Sequence, residues 1–123
     1  MKKLFIFLVF LSSLSNAEFK LFANTDNSEY WVDIDNLKII NDSVRIMTYQ
    51  NTYDNEFVKS VSNYVEFNCS NESFKFLSFS FHDEFDRKGK ATEAEKNHIG
   101  NIIYPEPDTV VYKIMEYACM FKK

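Results

Sequence analysis

The chain alternates hydrophobic and polar positions along most of its length, and the alternation divides it into strands. Phe19, Leu21 and Ala23 share one side of a short apolar run, and polar Asn24 to Ser28 then reads as a turn. From Glu29 to Asp35, Tyr30, Val32 and Ile34 lie on one face and Trp31, Asp33 and Asp35 on the other, a half-buried strand of β-forming residues. Asn41-Asp42-Ser43 is a turn signal before Val44 to Tyr53, where Val44, Ile46 and Thr48 alternate with Arg45, Met47 and Tyr49. Phe57 to Cys69 follows, with Phe57, Val61, Val65, Phe67 and Cys69 predicted to face inward. In Phe74 to Phe81 the parity slips at Phe76-Leu77, which predicts a bulge near Leu77 and aromatic side chains on both faces. His82 to Asn97 is hydrophilic and reads as a mobile loop, and it carries the cluster Asp86-Arg87-Lys88-Gly89-Lys90. Ile99 to Tyr104 is expected to form a sixth short strand, ended by Pro105 and Pro107, which have no N–H for a ladder.

The period changes after Asp108-Thr109. An acceptor side chain at the N-cap opens Val110 to Phe121, where Val111, Met115 and Cys119 recur every fourth residue beside Ile114 and Ala118. One apolar stripe predicts an amphipathic helix lying on one face of the sheet. The expected fold is therefore α+β: a single antiparallel sheet of about six strands with a C-terminal helix. Cys119 on the inward stripe and Cys69 on the inward strand face share a layer, so the two cysteines are expected to form one disulfide closing a loop of 50 positions. Chain-entropy arguments give such a link about 4 kcal/mol.

The N-terminus belongs to a different class of segment. Met1-Lys2-Lys3, eight apolar residues from Leu4 to Leu11 and small residues at Ser15 and Ala17 fit a secretory signal peptide over residues 1–17, leaving one domain over 18–123. An oxidising compartment agrees with a paired disulfide. Export to the periplasm or beyond is expected, with no membrane span and no cysteine after the cleavage site to carry a lipid. Without Lys2 and Lys3, 12 basic residues face 18 acidic ones, a net charge of −6, which disfavours nucleic acid as a partner. Thirteen Phe, seven Tyr and one Trp against two Gly and two Pro exclude disorder and supply a core.

Candidate chemistry is sparse. His82-Asp83-Glu84 with His98 is the one grouping of metal-ligating types, but it lacks helical His-x-x-x-His or Cys-x-x-Cys spacing, and no metal or cofactor is expected. Ser60, Ser62, Ser78 and Ser80 sit in strand alternation, Gly89 and Gly100 are the only glycines for an oxyanion turn, and both cysteines are committed, so no catalytic residue is assigned. Asp33 and Asp35 are neighbouring acids on one strand face and are expected to be solvated. Asn41, Asn68 and Asn71 open sequons, which are fortuitous in a chain of bacterial composition. The face opposite the helix is different. Trp31, Met47, Tyr49 and Tyr53 share its parity, and amphipathic aromatics left at a surface mark contacts with a protein, a small ligand or a second copy in a homodimer.

The order of these features resembles the surface-adhesin protein E family. The resemblance rests on Tyr30-Trp31-Val32-Asp33-Ile34-Asp35-Asn36-Leu37, Val44-Arg45-Ile46, Lys59-Ser60-Val61, Glu66-Phe67-Asn68-Cys69 and a closing helix with Cys119. It implies a six-stranded antiparallel sheet with a C-terminal helix tethered by a disulfide, and adhesion to host or extracellular proteins. The expected function is a non-enzymatic exported binding module; the alternative is a small periplasmic hydrolase-like enzyme of unknown substrate.

Overall fold

A computed structural model describes residues 18–122, so the segment read as a signal peptide lies outside the described residues. Among the described residues, seven strands form one antiparallel sheet: β1 (Lys20–Asn24), β2 (Ser28–Val32), β3 (Lys38–Ile40), β4 (Ser43–Thr52), β5 (Ser60–Asn68), β6 (Ser73–His82) and β7 (Ala91–Glu93). The spatial order is β1-β2-β4-β5-β6-β7, with β3 also on β4. The strands β2 and β3 share one edge of β4: β2 pairs with Thr48–Thr52 and β3 with Ser43–Arg45. Between them the chain makes a 3-10 turn over Ile34–Asn36. The sheet is thus six positions wide.

Several boundaries differ from the sequence reading for identifiable reasons. The second strand stops at Val32, because Asp33 is buried and accepts both contacts from Asn36 Nδ2 at 3.0 Å, turning the chain before Asp35. Asp33 and Asp35 are therefore not a solvated pair on one face. The fifth strand starts at Ser60 rather than Phe57: Asn55 Oδ1 accepts from the Phe57 and Val58 amides, and the resulting turn leaves Phe57 78% exposed instead of inward. Ile99 to Tyr104 is not a strand. It meets β6 through one isolated bridge, Phe74 to Ile103, and a bond from the Gly100 amide to the Phe76 carbonyl at 2.9 Å, because Gly100 at φ +81° breaks the extended run and Pro105 ends it. The last strand is instead β7, within the stretch expected to be an unstructured loop.

The bulge falls at Leu77, where the register with β5 slips between Val65–Phe76 and Tyr64–Ser78. Its effect reverses the expectation that aromatics would occupy both faces. One inserted residue returns Phe79 and Phe81 to the side of Phe74 and Phe76, and the four rings form a continuous ladder with centroids 5.1–5.5 Å apart. Lys75, Ser78, Ser80 and His82 take the other face.

Helix α1 (Val110–Cys119) is capped by Thr109, whose hydroxyl accepts from the Tyr112 amide, and it runs into a 3-10 turn over Met120–Lys122. It buries Ile114, Met115 and Ala118 against Val32, Val44, Ile46, Val65, Phe67 and Phe74. Cys69 and Cys119 are joined, with Cα atoms 5.9 Å apart. The helix covers only the Cys69 end of its sheet face. Beyond its first turn a recess of about 120 Å³ remains, lined by Tyr30, Thr48, Gln50, Asn63, Phe76 and Val111 among others.

Candidate functional site

The sheet face away from α1 is built by residues whose parity the alternation fixes. On β4 these are Arg45, Met47, Tyr49 and Asn51; their direct cross-strand partners include Trp31 and Glu29 on β2 and Glu66, Tyr64, Ser62 and Ser60 on β5. At the Cys69 end this face is a charge ladder, with Glu66 2.8 Å from Arg45 Nε and 3.4 Å from Lys75 Nζ. Arg45 first, and Lys75 after it, holds the Glu66 carboxyl below its ordinary range.

Toward the opposite end the face becomes aromatic. Trp31 stacks on Tyr49 with centroids 5.8 Å apart and ring planes 2° from parallel, and Phe19 meets Tyr49 edge-on at 5.0 Å. Glu29 Oε1 accepts from Trp31 Nε1 at 3.1 Å and from Asn51 Nδ2 at 3.0 Å. The Tyr53 hydroxyl, then Asn51 and Trp31, hold the Glu29 carboxyl below its ordinary range. Trp31 and Met47 are half-buried and Tyr53 is 51% exposed, whereas Tyr49 is only 7% exposed. The expected surface aromatics are therefore brought together, but Tyr49 supports the patch from beneath instead of presenting its ring.

What covers Tyr49 is the stretch after β6. Residues 83–90 fold back over the sheet as a strap, contrary to the expectation of a mobile loop. Asp86 Oδ1 accepts from the Tyr49 hydroxyl at 3.2 Å and from Asn51 Nδ2 at 2.9 Å, while the Asp86 amide donates to Asn51 Oδ1 at 2.9 Å. The Arg87 amide donates to Ser60 Oγ at 3.0 Å, and that hydroxyl donates to the Glu84 carbonyl at 2.7 Å. Burial, with the Asp86 carboxylate next, pushes the Tyr49 hydroxyl up to about 12. Asp86 and Arg87 both lie in the left-handed region, at φ 59° and 63°. This consecutive pair turns Asp86 down into the sheet and Arg87 back across it, with the guanidinium 4.2 Å from the Phe19 ring centre and 5.4 Å from that of Tyr49. At the other end of the strap Phe85 rests on Tyr53 at 5.6 Å.

The strap contacts were not legible from composition, because Asn51, Ser60 and Asp86 look like ordinary polar surface. The signal available was a buried-strand parity that leaves Asn51 and Ser60 inside a face rich in aromatics. Both are buried, at 3% and 0% exposure. Buried polar groups need partners, so something polar had to cover them.

The other sequence candidates disperse. His82 turns its Nε2 to Ser62 Oγ at 2.9 Å, and its Nδ1 is buried with no hydrogen-bond partner among the described residues. A serine beside a histidine is the beginning of a nucleophile–base pair, but the ring lacks the third group that would orient it, and the strap lies over it. His98 is exposed in a 3-10 turn beside Phe79 and Phe81, on the opposite face of β6 from His82, and among the described residues no three His, Cys, Asp or Glu side chains form a metal-sized group.

Comparison with known proteins gives a consistent answer. The family model described as Surface-adhesin protein E matches residues 19–120. The structure is similar to crystal form II of Haemophilus influenzae protein E, with a TM-score of 0.68 at 19% identity over 87% of this chain and 91% of that one. Another Haemophilus influenzae protein E structure gives 0.65 at 19% identity, covering 87% of each chain, and its selenomethionine form 0.63 at 20%, covering 85% and 88%. These structural likenesses establish a shared fold. No curated protein sequence matches significantly.

Proposed function

From the premise that the chain belongs to the surface-adhesin protein E family, we propose that it is an exported, non-enzymatic adhesin-like module that binds host or extracellular proteins through the strapped aromatic face. The observation that carries this reading is the arrangement of Trp31, Met47 and Tyr53 at the surface over a braced base of Tyr49, Asn51 and Asp86. Rigid amphipathic aromatics on a braced floor lose little entropy on binding, which is what an interface hot spot requires. The sheet supplies the rigidity, and the Cys69–Cys119 link fixes the opposite layer so that the face has a stable backing. The disulfide and the family are consistent with export. Cleavage after Ala17 is part of the same proposal, and intact-mass analysis of the protein recovered from cells tests it: a product retaining Met1 to Ala17 contradicts it.

The test of the function itself uses residues 18–123, oxidised and folded, applied to immobilised extracellular-matrix and serum proteins. Saturable binding to at least one of them is the expected result. Absence of saturable binding across the panel, with turnover of a broad hydrolase substrate that is lost in Ser62→Ala, would favour the enzymatic alternative.

A further inference from the structure

The aromatic face already holds a guanidinium, and that occupant is the chain's own. Arg87 lies over Phe19 at 4.2 Å and near Tyr49 at 5.4 Å. Trp31 extends the aromatic floor by stacking on Tyr49. Two carboxylates flank the rings, joined through one amide: Asn51 Nδ2 lies 3.0 Å from Glu29 Oε1 and 2.9 Å from Asp86 Oδ1. Arg87 itself is exposed and, among the described residues, takes part in no ion pair. Among the described residues its side chain is held by ring faces alone, a weak hold at an exposed position.

We infer that Phe19, Trp31 and Tyr49, with Glu29 and Asp86, form a recognition site for an arginine side chain on a protein partner, and that Arg87 occupies it in cis until the partner displaces it. The inference rests on the binding-module reading above and names the chemistry of its partner. Three features support it. A planar guanidinium stacks on aromatic faces in a way that an ammonium does not reproduce. The weak hold on Arg87 lets the side chain leave by rotation about its own bonds while Asp86 keeps the strap docked on Tyr49 and Asn51. An incoming arginine can then use the same rings and add the charge pairing with Asp86 or Glu29 that Arg87 lacks. The chain's acidic excess, 18 Asp and Glu against 14 Lys and Arg, favours the approach of a basic segment.

Because Arg87 competes from the same molecule, it lowers the affinity of an external arginine by its own occupancy. Arg87→Gly empties the site while suiting the left-handed backbone at that position. The sole tryptophan, Trp31, reports occupancy by fluorescence. The probes are acetylated, amidated peptides of sequence Gly-Ser-Arg-Ser-Gly, Gly-Ser-Lys-Ser-Gly and Gly-Ser-Glu-Ser-Gly, titrated at fixed low ionic strength. The expected result is that the arginine peptide binds Arg87→Gly about three- to sixfold more tightly than wild type, the factor set by removing a cis competitor held through exposed cation–π contacts. The lysine peptide should bind more weakly, the glutamate peptide not at all, and Phe19→Ser in the Arg87→Gly background should abolish the gain. Equal affinity of wild type and Arg87→Gly, equal binding of arginine and lysine peptides, or a gain that survives Phe19→Ser would each overturn the inference. Matrix-protein binding that persists while these titrations fail overturns the arginine chemistry alone. Absence of matrix binding with a successful titration overturns the adhesion reading alone.

Discussion

His82 closes β6 with a ring that the strap has removed from water, Nε2 against Ser62 and Nδ1 buried. Burial, and after it the neighbouring Arg87, holds its affinity for a proton below the ordinary 6.5, while Asp83 pulls in the opposite sense. The unfolded chain therefore binds more protons than the native one between about 6.5 and the lowered native value. The sign follows: stability from the neutral ring is complete above about 6.5 and falls as the pH drops through that window. Melting temperatures measured from pH 7.5 to 5 should decline more steeply for wild type than for His82→Gln, and parallel curves would contradict this account of the ring. Gly89 is the second residue on which the strap depends. It sits at φ +76°, and a Cβ there would lie 2.0 Å from Asp83 Oδ1, the atom that accepts from the Lys90 amide at 2.8 Å. Gly89→Ala should destabilise the strap by about 1–3 kcal/mol. Trypsin should then cut after Arg87, Lys88 or Lys90 faster than in wild type, with the sheet and helix intact; unchanged cleavage would show that the close approach is not needed. Neither role was legible in the sequence, because a histidine at a strand end and a glycine in a basic run carry no mark of what folds over them.

At the scale of elements, periodicity revealed most of the architecture. Alternation located β4, β5 and β6, and the fourfold recurrence of Val111, Met115 and Cys119 located α1 on the correct face. It failed where local hydrogen bonding overrode it. Asp33 stops β2 by holding Asn36, and Asn55 delays β5 by gathering two amides, both short-range side-chain bonds that compete with a ladder. The segment 99–104 failed for a different reason: its apolar pattern is strand-like, but Gly100 and Pro105 leave it one bridge with β6. The disulfide is the covalent link between the two layers. Replacing Cys69 and Cys119 together by Ser should cost about 2–5 kcal/mol, the range for small secreted domains. Hydrogen exchange should show α1 losing protection before β4 and β5, since the helix rests on a limited footprint once the tether is gone. Uniform loss of protection across sheet and helix would contradict a helix held chiefly by the link.

For the whole molecule, the two faces of the sheet have separate tasks. One is closed at the Cys69 end by α1 and carries the core; the other carries the charge ladder, the strap and the aromatic patch. That division was readable as parity, which placed Trp31, Met47 and Tyr49 together away from the helix. The strap was not, and it changes which residues can be tested. Tyr49 is part of the floor, so its replacement would undo the contacts of Asp86, whereas Trp31 and Tyr53 can be changed at the surface. Tyr104 and Met120, each 65% exposed, provide a control pair outside that patch. The decisive measurement compares Trp31→Ser/Tyr53→Ser with Tyr104→Ser/Met120→Ser in binding to immobilised matrix proteins, with sedimentation recording any self-association of each. The aromatic face as binding surface predicts that the first pair lowers affinity at least about tenfold, the loss of one hot spot, with the sheet and helix still folded, and that the second pair behaves as wild type. Equal binding by the first pair and wild type, with loss in the second, would place the binding surface elsewhere and contradict it.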